Sequence, residues 1–189
     1  MYKIEKLETD RLILRKYKKS DLKDYIEWQS QSGYHEFLPT KVKTKEEYKT
    51  SFYSSIENYD NINNPNLTWG IELKQEKKII GSINISKISS THKCAEIGWG
   101  LNPKYQKKGY AYESVQCFLD YLCNSLGINK VSALIWEGNE PSIKLATKLG
   151  FVLEGRERQA RIKNGKFIDV LHFGILKKEY ELKNNIKEK

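Results

Sequence analysis

The sequence predicts an α/β fold of the α+β type, in which helices flank a mixed, mostly antiparallel sheet. The first observation is a strand–loop–helix unit, because residues 96–101 alternate like a strand and apolar side chains then recur at helical spacing from 109 to 125. The second is a pair of hairpin signals, a polar turn at 75–77 and the Asn164-Gly165 turn. The third is composition, since 39% hydrophobic and 12% aromatic residues in a chain of 189 suffice for a packed core.

Runs of alternating or β-branched residues predict the strands. The expected strands cover 9–17, 67–74, 78–87, 94–101, 129–136, 151–159 and 166–176. The first alternates around Leu12 and Leu14, and Pro103 ends the fourth because proline has no N–H to give a sheet ladder. We expect one domain over residues 1–177, followed by a lysine-rich C-terminal tail over 178–189 that frays.

Capping signals predict the helices. The expected helices cover 21–29, 44–59, 109–125 and 139–149, and the expected loops cover 33–42 and 60–66. Ser20 is the expected N-cap of the first helix, and Thr44 with Glu47 has the spacing of a capping box for the second. Gly127 and Gly150 supply the stops of the third and fourth helices.

The loop after the 96–101 strand has the composition of an anion-binding site. Gly109 lets the backbone approach a bulky anion closely, and Ala111 keeps the same surface low. Gln106, Lys107 and Lys108 add hydrogen-bond donors and positive charge. The first N–H groups of a helix have no partner within it, and the helix dipole adds partial positive charge there. We therefore expect this loop to hold a diphosphate.

Residues 106–111 (QKKGYA) resemble the Q/R-x-x-G-x-G/A loop of the GNAT superfamily of acyl-CoA-dependent N-acetyltransferases. Four further stretches match the superfamily at the expected positions. They are 9–15 (TDRLILR), 139–142 (NEPS), 148–151 (KLGF) and Asn164-Gly165 before Asp169. The matches extend over roughly the whole chain and resemble the RimJ/RimL-like branch of ribosomal-protein N-terminal acetyltransferases.

The resemblance implies a GNAT-like domain with a splayed sheet and acetyl-CoA as cosubstrate, without a metal. The pantetheine arm would enter between the strands that precede the third and fourth helices. The expected cofactor-binding residues are Trp99, Gly100, Leu101, Gln106, Lys107, Lys108, Gly109, Tyr110, Ala111, Asn139 and Ser142. Three of these assignments have structural alternatives. Asn139 also makes an ordinary N-cap, and Ser142 could be a first-turn serine bonded to Asn139. The glycines at 98 and 100 could instead accommodate Trp99 against the core.

The resemblance also implies direct attack of a primary amine on the thioester in a ternary complex. Many members use a Tyr as the acid seven residues after the Asn, and this chain has Ala146 there. Ser142 matches the serine assigned to protonate the thiolate in the RimJ/RimL-like branch, and protonation by solvent is the alternative. Glu96 is the candidate base. Its alternative is an ordinary strand glutamate paired with a lysine.

The first two helices wall the acceptor pocket in this superfamily. We therefore expect acceptor selection by Trp28, Tyr34, His35 and Phe37. His92 and His172 are expected to be structural or exposed. The acceptor could be a protein N-terminus, such as that of a ribosomal protein, a polyamine or an antibiotic. A different class of function is a non-catalytic CoA-binding regulator associated with the ribosome or RNA.

The net charge and the spacing of the cysteines limit the binding partners and the cellular location that we expect. A net charge of +9 fits a polyanionic cofactor, a ribosomal setting or a lysine-rich solvated surface. The chain lacks an RNP-like aromatic signature, which argues against direct nucleic-acid binding. No apolar run approaches the ~18 residues of a membrane span. The three cysteines lack metal-ligand spacing, so we expect reduced thiols, no metal site and a cytoplasmic location. The resemblance is compatible with a homodimer.

Overall fold

The computed structural model of the protein describes residues 6–38, 42–57 and 67–187. The predicted loop over 60–66 lies outside these residues. By its internal contacts the chain divides into two compact units. The first unit comprises Met1–Ser86 and Gly98–Phe118, and the second comprises Lys87–Ile97 and Leu119–Lys189.

Eight strands lie in the described ranges. They are β1 (Leu7–Glu8), β2 (Leu12–Arg15), β3 (Leu67–Leu73), β4 (Lys78–Ser89), β5 (Cys94–Leu101), β6 (Lys130–Trp136), β7 (Val152–Lys163) and β8 (Lys166–Leu176). Their order in the sheet is β1-β2-β3-β4-β5-β6-β8-β7. The pairs β1–β2, β2–β3, β3–β4, β6–β8 and β7–β8 are antiparallel. The expected mixed, mostly antiparallel sheet is confirmed.

The parallel pair β5–β6 is short. Its register joins Cys94 to Lys130, Ala95 to Val131 and Glu96 to Ser132, all within the second unit. β5 then continues to Leu101 and β6 to Trp136.

Five α-helices lie in the described ranges. They are α1 (Leu22–Gln29), α2 (Lys45–Glu57), α3 (Tyr110–Asp120), α4 (Glu140–Leu149) and α5 (Lys177–Lys187). The capping box of α2 forms as predicted, because the Glu47 carboxylate accepts from the Thr44 N–H at 2.7 Å while the Thr44 hydroxyl accepts from the Glu47 N–H at 3.3 Å. α3 continues into a π-helical turn at Tyr121–Ser125, and Gly127, with φ +65°, ends the run.

Each unit has its own apolar core. In the first, alternate residues of β2 and β3 are buried, and Trp69 packs edge-on against Phe118 with ring centroids 4.8 Å apart. An aromatic cluster around Tyr17, Trp28 and Phe52 joins α1 to α2. In the second unit, the buried positions of β6 alternate in the same way, whereas β8 buries adjacent residues over the stretch 170–175. These side chains provide the hydrophobic stabilisation that holds each unit together.

Two predictions at the N-terminal side are wrong. Only Leu12–Arg15 of the expected strand over 9–17 forms a strand, because the Thr9 hydroxyl accepts from the Leu12 N–H at 2.9 Å and makes a turn. Ser20 does not cap the first helix. Asp21 occupies the N-cap position of α1, and its carboxylate accepts from the Lys18 N–H at 2.7 Å and pairs with Arg15.

The C-terminal tail does not fray over the described residues, where it forms α5. Tyr180 is 2% exposed, and its hydroxyl donates to Asp120 at 2.9 Å. Lys183 donates to the Lys148 carbonyl. The sequence prediction failed because only this tertiary burial, and not the lysine-rich composition, decides whether the segment is ordered. The proposed domain boundary at 177 stays a prediction.

Candidate functional site

The segment between β5 and α3 is held in place at its start by Asn102. Asn102 is fully buried, its N–H donates to the Ile80 carbonyl at 2.8 Å, and its side chain accepts from the Lys104 N–H at 3.1 Å. Pro103 then begins a short 3₁₀ turn that ends at Tyr105. The chain therefore enters the 106–111 loop from an anchored position.

Two backbone conformations shape the loop itself. Lys107 has φ +61° and Gly109 has φ +84°, so two alternate residues lie in the left-handed region. α3 begins at the next residue, Tyr110, and the Gly109 carbonyl accepts from the Glu113 N–H at 3.0 Å. Such turns direct backbone N–H groups toward a common point, and the helix start adds further N–H groups and positive potential. The loop is therefore the candidate anion-binding site, and we call it the cradle.

The cradle is open to solvent. Gln106, Lys107, Lys108 and Gly109 are exposed, and Tyr110 and Ala111 are half-buried. The Lys108 ammonium lies 5.3 Å from the centroid of the Tyr105 ring. The side chains of this loop thus line an accessible surface.

Arg11, which was not among the residues predicted from the sequence, contacts the loop, and both lie within the first unit. Its guanidinium donates to the Lys108 carbonyl at 3.1 Å and lies 4.6 Å from the centroid of the Tyr110 ring. It also forms an ion pair of 2.5 Å with Glu113 in the first turn of α3. Burial opposes ionisation of Glu113, but hydrogen bonds from Thr9 and Arg11 outweigh it and lower the pKa of this carboxyl. The only sequence signal was that Arg11 lies within the 9–15 match.

The strand that leads into the loop carries Trp99, Gly100 and Leu101. Trp99 is half-buried and Leu101 is 7% exposed. A Cβ on Gly100 would lie 2.7 Å from Cε2 of Tyr34, and a Cβ on Gly98 would lie 2.8 Å from Oδ1 of Asn84. These glycines therefore admit the side chains of Tyr34 and Asn84 over one face of β5, an explanation that the sequence alone did not suggest.

The second unit contains Glu96, Asn139 and Ser142. The Glu96 side chain is 17% exposed, and its carboxylate lies 3.4 Å from the Lys87 ammonium. Asn139 is the N-cap of α4 as predicted, because its side chain accepts from the Ser142 N–H at 3.3 Å. Ser142 is half-buried, and Ala146 is fully buried.

The structure brings three of the four predicted acceptor residues together in the first unit. Trp28 is fully buried and packs edge-on against Tyr34, with ring centroids 4.7 Å apart. The Tyr34 and His35 rings are 5.2 Å apart. His35 is 8% exposed, and its Nε2 lies 2.6 Å from the Gln29 carbonyl oxygen and 3.0 Å from the Tyr48 hydroxyl. Tyr34, whose pKa is raised by burial, is the half-buried member of this group.

Phe37 is half-buried at the end of the same 3₁₀ segment, Ser32–Phe37. His92 is exposed, and His172 lies 3.4 Å from Glu157 in β7, as expected of structural or exposed histidines. Within the described ranges, no group of three or more His, Cys, Asp and Glu side chains has an arrangement that could hold a metal ion. No described helix combines the length and the apolar character needed to cross a membrane.

The sequence matches a family described as the acetyltransferase (GNAT) domain over residues 11–152, three quarters of the chain. The uncharacterized N-acetyltransferase p20 of Bacillus licheniformis is 31% identical over 177 residues, which are 94% of this chain and 99% of that protein. A spermidine N(1)-acetyltransferase of Vibrio cholerae is 30% identical over 105 residues, which are 56% of this chain and 61% of that protein.

Three solved structures resemble the fold. A GNAT-family acetyltransferase from Bacillus anthracis has a TM-score of 0.81 and 26% identity, covering 93% of this chain and 100% of that one. Ribosomal-protein-S5-alanine acetyltransferase from Vibrio fischeri has a TM-score of 0.78, 23% identity and coverages of 94% and 99%. Spermidine N-acetyltransferase from Vibrio cholerae, in complex with CoA and spermine, has a TM-score of 0.77, 24% identity and coverages of 92% and 99%. The last two likenesses concern the fold alone.

Proposed function

Because the chain belongs to the GNAT acetyltransferase family, we propose that it acetylates the terminal amine of a protein by direct attack on acetyl-CoA in a ternary complex. The family makes the chain an acetyl-CoA-dependent N-acetyltransferase. The residues that bind the cosubstrate, the order of events and the acceptor are the proposal. The observation that carries it is the left-handed pair Lys107 and Gly109 directly before the start of α3.

The diphosphate of acetyl-CoA fits the cradle. Backbone N–H groups of Gly109, Tyr110 and Ala111 at a helix start suit a doubly charged group, because charge-assisted hydrogen bonds are stronger than neutral ones. The side chains of Gln106 and Lys107 are exposed and can donate further hydrogen bonds to the diphosphate. Lys108 completes this set of cofactor-binding residues.

We place the pantetheine arm along residues 99–101. Its two amides behave like a short peptide and can pair with exposed strand backbone. The register of β5 with β6 joins Cys94–Glu96, and β5 continues beyond these residues to Leu101. Asn139 and Ser142 stay proposed cofactor-binding residues, and the Asn139 side chain accepts from the Ser142 N–H at 3.3 Å. A backbone N–H of this strand would stabilise the developing oxyanion on the thioester carbonyl.

The reaction forms an N–C bond and breaks the C–S bond, and the acceptor nitrogen loses two protons. In our proposal Glu96 accepts the first proton from the acceptor ammonium, directly or through water, and releases it to solvent. Ser142 donates a proton to the leaving thiolate and is reprotonated by the second proton, which the nitrogen loses when the tetrahedral intermediate collapses. Ala146 cannot replace Ser142 as the acid, since its methyl group carries no proton to donate and is fully buried. Burial raises the pKa of the Cys123 thiol to about 11, which keeps this thiol protonated and supports direct attack rather than an acyl-enzyme on that residue.

The charges near the predicted acceptor residues favour a peptide over a polyamine. Asp24 accepts from the Ile79 N–H at 3.1 Å, and Glu27 lies 2.7 Å from the Lys78 ammonium and 3.4 Å from the Lys104 ammonium. The hydrogen bond from Lys78 lowers the pKa of Glu27. A polycation would compete with these lysines for the same carboxylates, whereas a peptide N-terminus brings a single positive charge. The polyamine remains a second candidate because of the relative named spermidine N(1)-acetyltransferase.

A thiol-release assay with acetyl-CoA tests this function. The acceptors are a panel of peptides with free N-termini, the same peptides with blocked N-termini, and spermidine. We expect release of CoA only with free amines, a higher kcat/KM for a peptide than for spermidine, and intersecting initial-rate lines, as a ternary complex requires. Preference for spermidine would refute the protein acceptor, and parallel lines would refute direct attack.

Two substitutions test the proton transfers. Glu96→Gln should lower kcat by about 10²–10⁴-fold and remove the acid limb of the pH–rate profile. Ser142→Ala keeps the backbone N–H that donates to Asn139. A loss of kcat of more than about threefold would therefore be due to the missing hydroxyl. An unchanged pH–rate profile for Glu96→Gln, or full activity for Ser142→Ala, would refute the respective role. A cytoplasmic location and a homodimer stay predictions.

A further inference from the structure

We propose that Arg11 is a positioning residue for the cosubstrate, which fixes the peptide group between Lys108 and Gly109 so that the Gly109 N–H faces the diphosphate. This inference rests on the proposed binding of acetyl-CoA by the 106–111 loop. Arg11 itself need not touch the cosubstrate.

The first step is the geometry of one peptide group. In a trans peptide, the C=O of one residue and the N–H of the next point in opposite directions. The Lys108 carbonyl accepts from Nη1 of Arg11 at 3.1 Å, so the Gly109 N–H points away from the guanidinium. The protein has no cis peptide bonds over the described residues. Holding the carbonyl therefore holds the direction of the N–H.

The second step is that Gly109 could otherwise turn. A glycine accepts positive and negative φ about equally well, and Gly109 has φ +84°. The neighbouring Lys107 is held at φ +61°, a conformation that costs a non-glycine residue free energy. Without an external partner, this loop can relax to conformations in which the N–H groups diverge. The hydrogen bond from Arg11 selects the conformation with Lys107 at φ +61° and Gly109 at φ +84°.

The third step is that Arg11 is itself held. Its Nε donates to Oε2 of Glu113 at 2.6 Å, and its backbone N–H donates to Oε1 of the same carboxylate at 3.1 Å. The Thr9 hydroxyl donates to that Oε1 at 2.5 Å. The Arg11 guanidinium lies over the Tyr110 ring, with its central carbon 4.6 Å from the ring centroid. The planar guanidinium thus spans the loop and the first turn of α3, which a lysine ammonium could not do.

The expected consequence is a loss of affinity rather than of chemistry. Arg11→Gln removes the guanidinium fork. Part of the free energy of CoA binding then has to be used to order the loop. We expect the Kd for CoA to rise about tenfold, as for the loss of one hydrogen bond to a charged group. The KM for acetyl-CoA should rise in the same proportion, while kcat at saturating acetyl-CoA stays within about twofold.

The experiment measures CoA binding by calorimetry for the wild type and for Arg11→Gln, Arg11→Lys and Arg156→Gln. Arg156 is the matched control. Both arginine side chains are 47% exposed and both form ion pairs of 2.5 Å, but Arg156 pairs with Glu137 and lies in β7. Arg156→Gln should bind CoA like the wild type, and Arg11→Lys should bind about as weakly as Arg11→Gln, because it keeps the charge and loses the fork.

A second readout separates positioning from stability. In ¹H–¹⁵N spectra, CoA should shift the Gly109 amide of the wild type strongly and that of Arg11→Gln weakly, and thermal unfolding shows whether the variant is folded. Equal Kd values for the wild type and folded Arg11→Gln overturn the inference, and so does an equal loss in Arg156→Gln. Failure of the wild type to bind CoA would instead overturn the proposed function.

Discussion

Gly109→Ala is the sharpest single test of the cradle, because the backbone conformation and the surroundings both oppose a side chain there. Gly109 has φ +84°, and a Cβ would lie 3.3 Å from Nη2 of Arg11. An L-residue in the left-handed region costs about 1–2 kcal/mol. Alanine also reduces the conformational entropy of the unfolded chain, which stabilises the folded state by ~0.4–1 kcal/mol. The net loss of unfolding free energy should therefore be about 1 kcal/mol.

The loss of affinity should be larger than this loss of stability. Relief of the strain at position 109 requires a rotation of the peptide groups that carry the cradle N–H groups, and hydrogen bonds to a charged group contribute ~1.5–3 kcal/mol each. We expect the Kd for CoA to rise at least about tenfold. Calorimetric titration with CoA measures it, and urea unfolding measures the stability.

Gly127→Ala provides the control for backbone strain alone. Gly127 has φ +65°, and a Cβ there would meet no atom within 4 Å. It lies after the π-helical turn and has no proposed role in binding. This variant should lose about the same unfolding free energy and keep the wild-type Kd. If Gly109→Ala also kept the wild-type Kd, the loop would not be the diphosphate site and the reasoning from its backbone would be refuted.

Three further predictions concern buried groups. Arg15→Met should lower the unfolding free energy in urea by about 3–5 kcal/mol, since it leaves two nearly buried carboxylates without their partner. Burial raises the pKa of Asp120 despite the hydrogen bond from Tyr180, so ionisation of Asp120 above that pKa destabilises the fold. In thermal melts, Asp120→Asn should therefore be more stable than the wild type at pH 7 and equally stable at pH 3. Cys123, 1% exposed and with its pKa raised to about 11, should resist a thiol reagent at pH 8 until the protein is unfolded.

The sequence predicted best those features that local rules decide. The Thr44–Glu47 capping box and the Asn139 cap involve residues three apart, so their hydrogen bonds can be inferred from spacing. Gly150 closes α4 with φ +101°, as the stop signal indicated. The family inferred from five short motifs is confirmed by the match over residues 11–152.

The sequence could not predict contacts between residues far apart along the chain. Arg11 and Glu113 are separated by 102 positions, and nothing in either stretch indicates the other. Tyr34 occupies the space over Gly100, so this glycine is required by an aromatic ring from another element. Trp28 is held in place by burial in a packed aromatic cluster, and His35 is held by burial and hydrogen bonds.

The contacts around the loop also indicate that its positive potential comes mainly from backbone N–H groups rather than from lysine side chains. Lys107 and Lys108 are exposed, and Lys108 is drawn toward the Tyr105 ring, so mobile ions screen their charges over roughly 8 Å at physiological salt. The N–H groups at the start of α3 are fixed in direction and act only at hydrogen-bond distance, where screening is weak. Lysine-rich composition alone would therefore give a salt-sensitive and loosely placed diphosphate. In our proposal, a thioester that must meet an amine in line requires the fixed donors, and the hydrogen bond from Arg11 to the Lys108 carbonyl serves to hold one of them in direction.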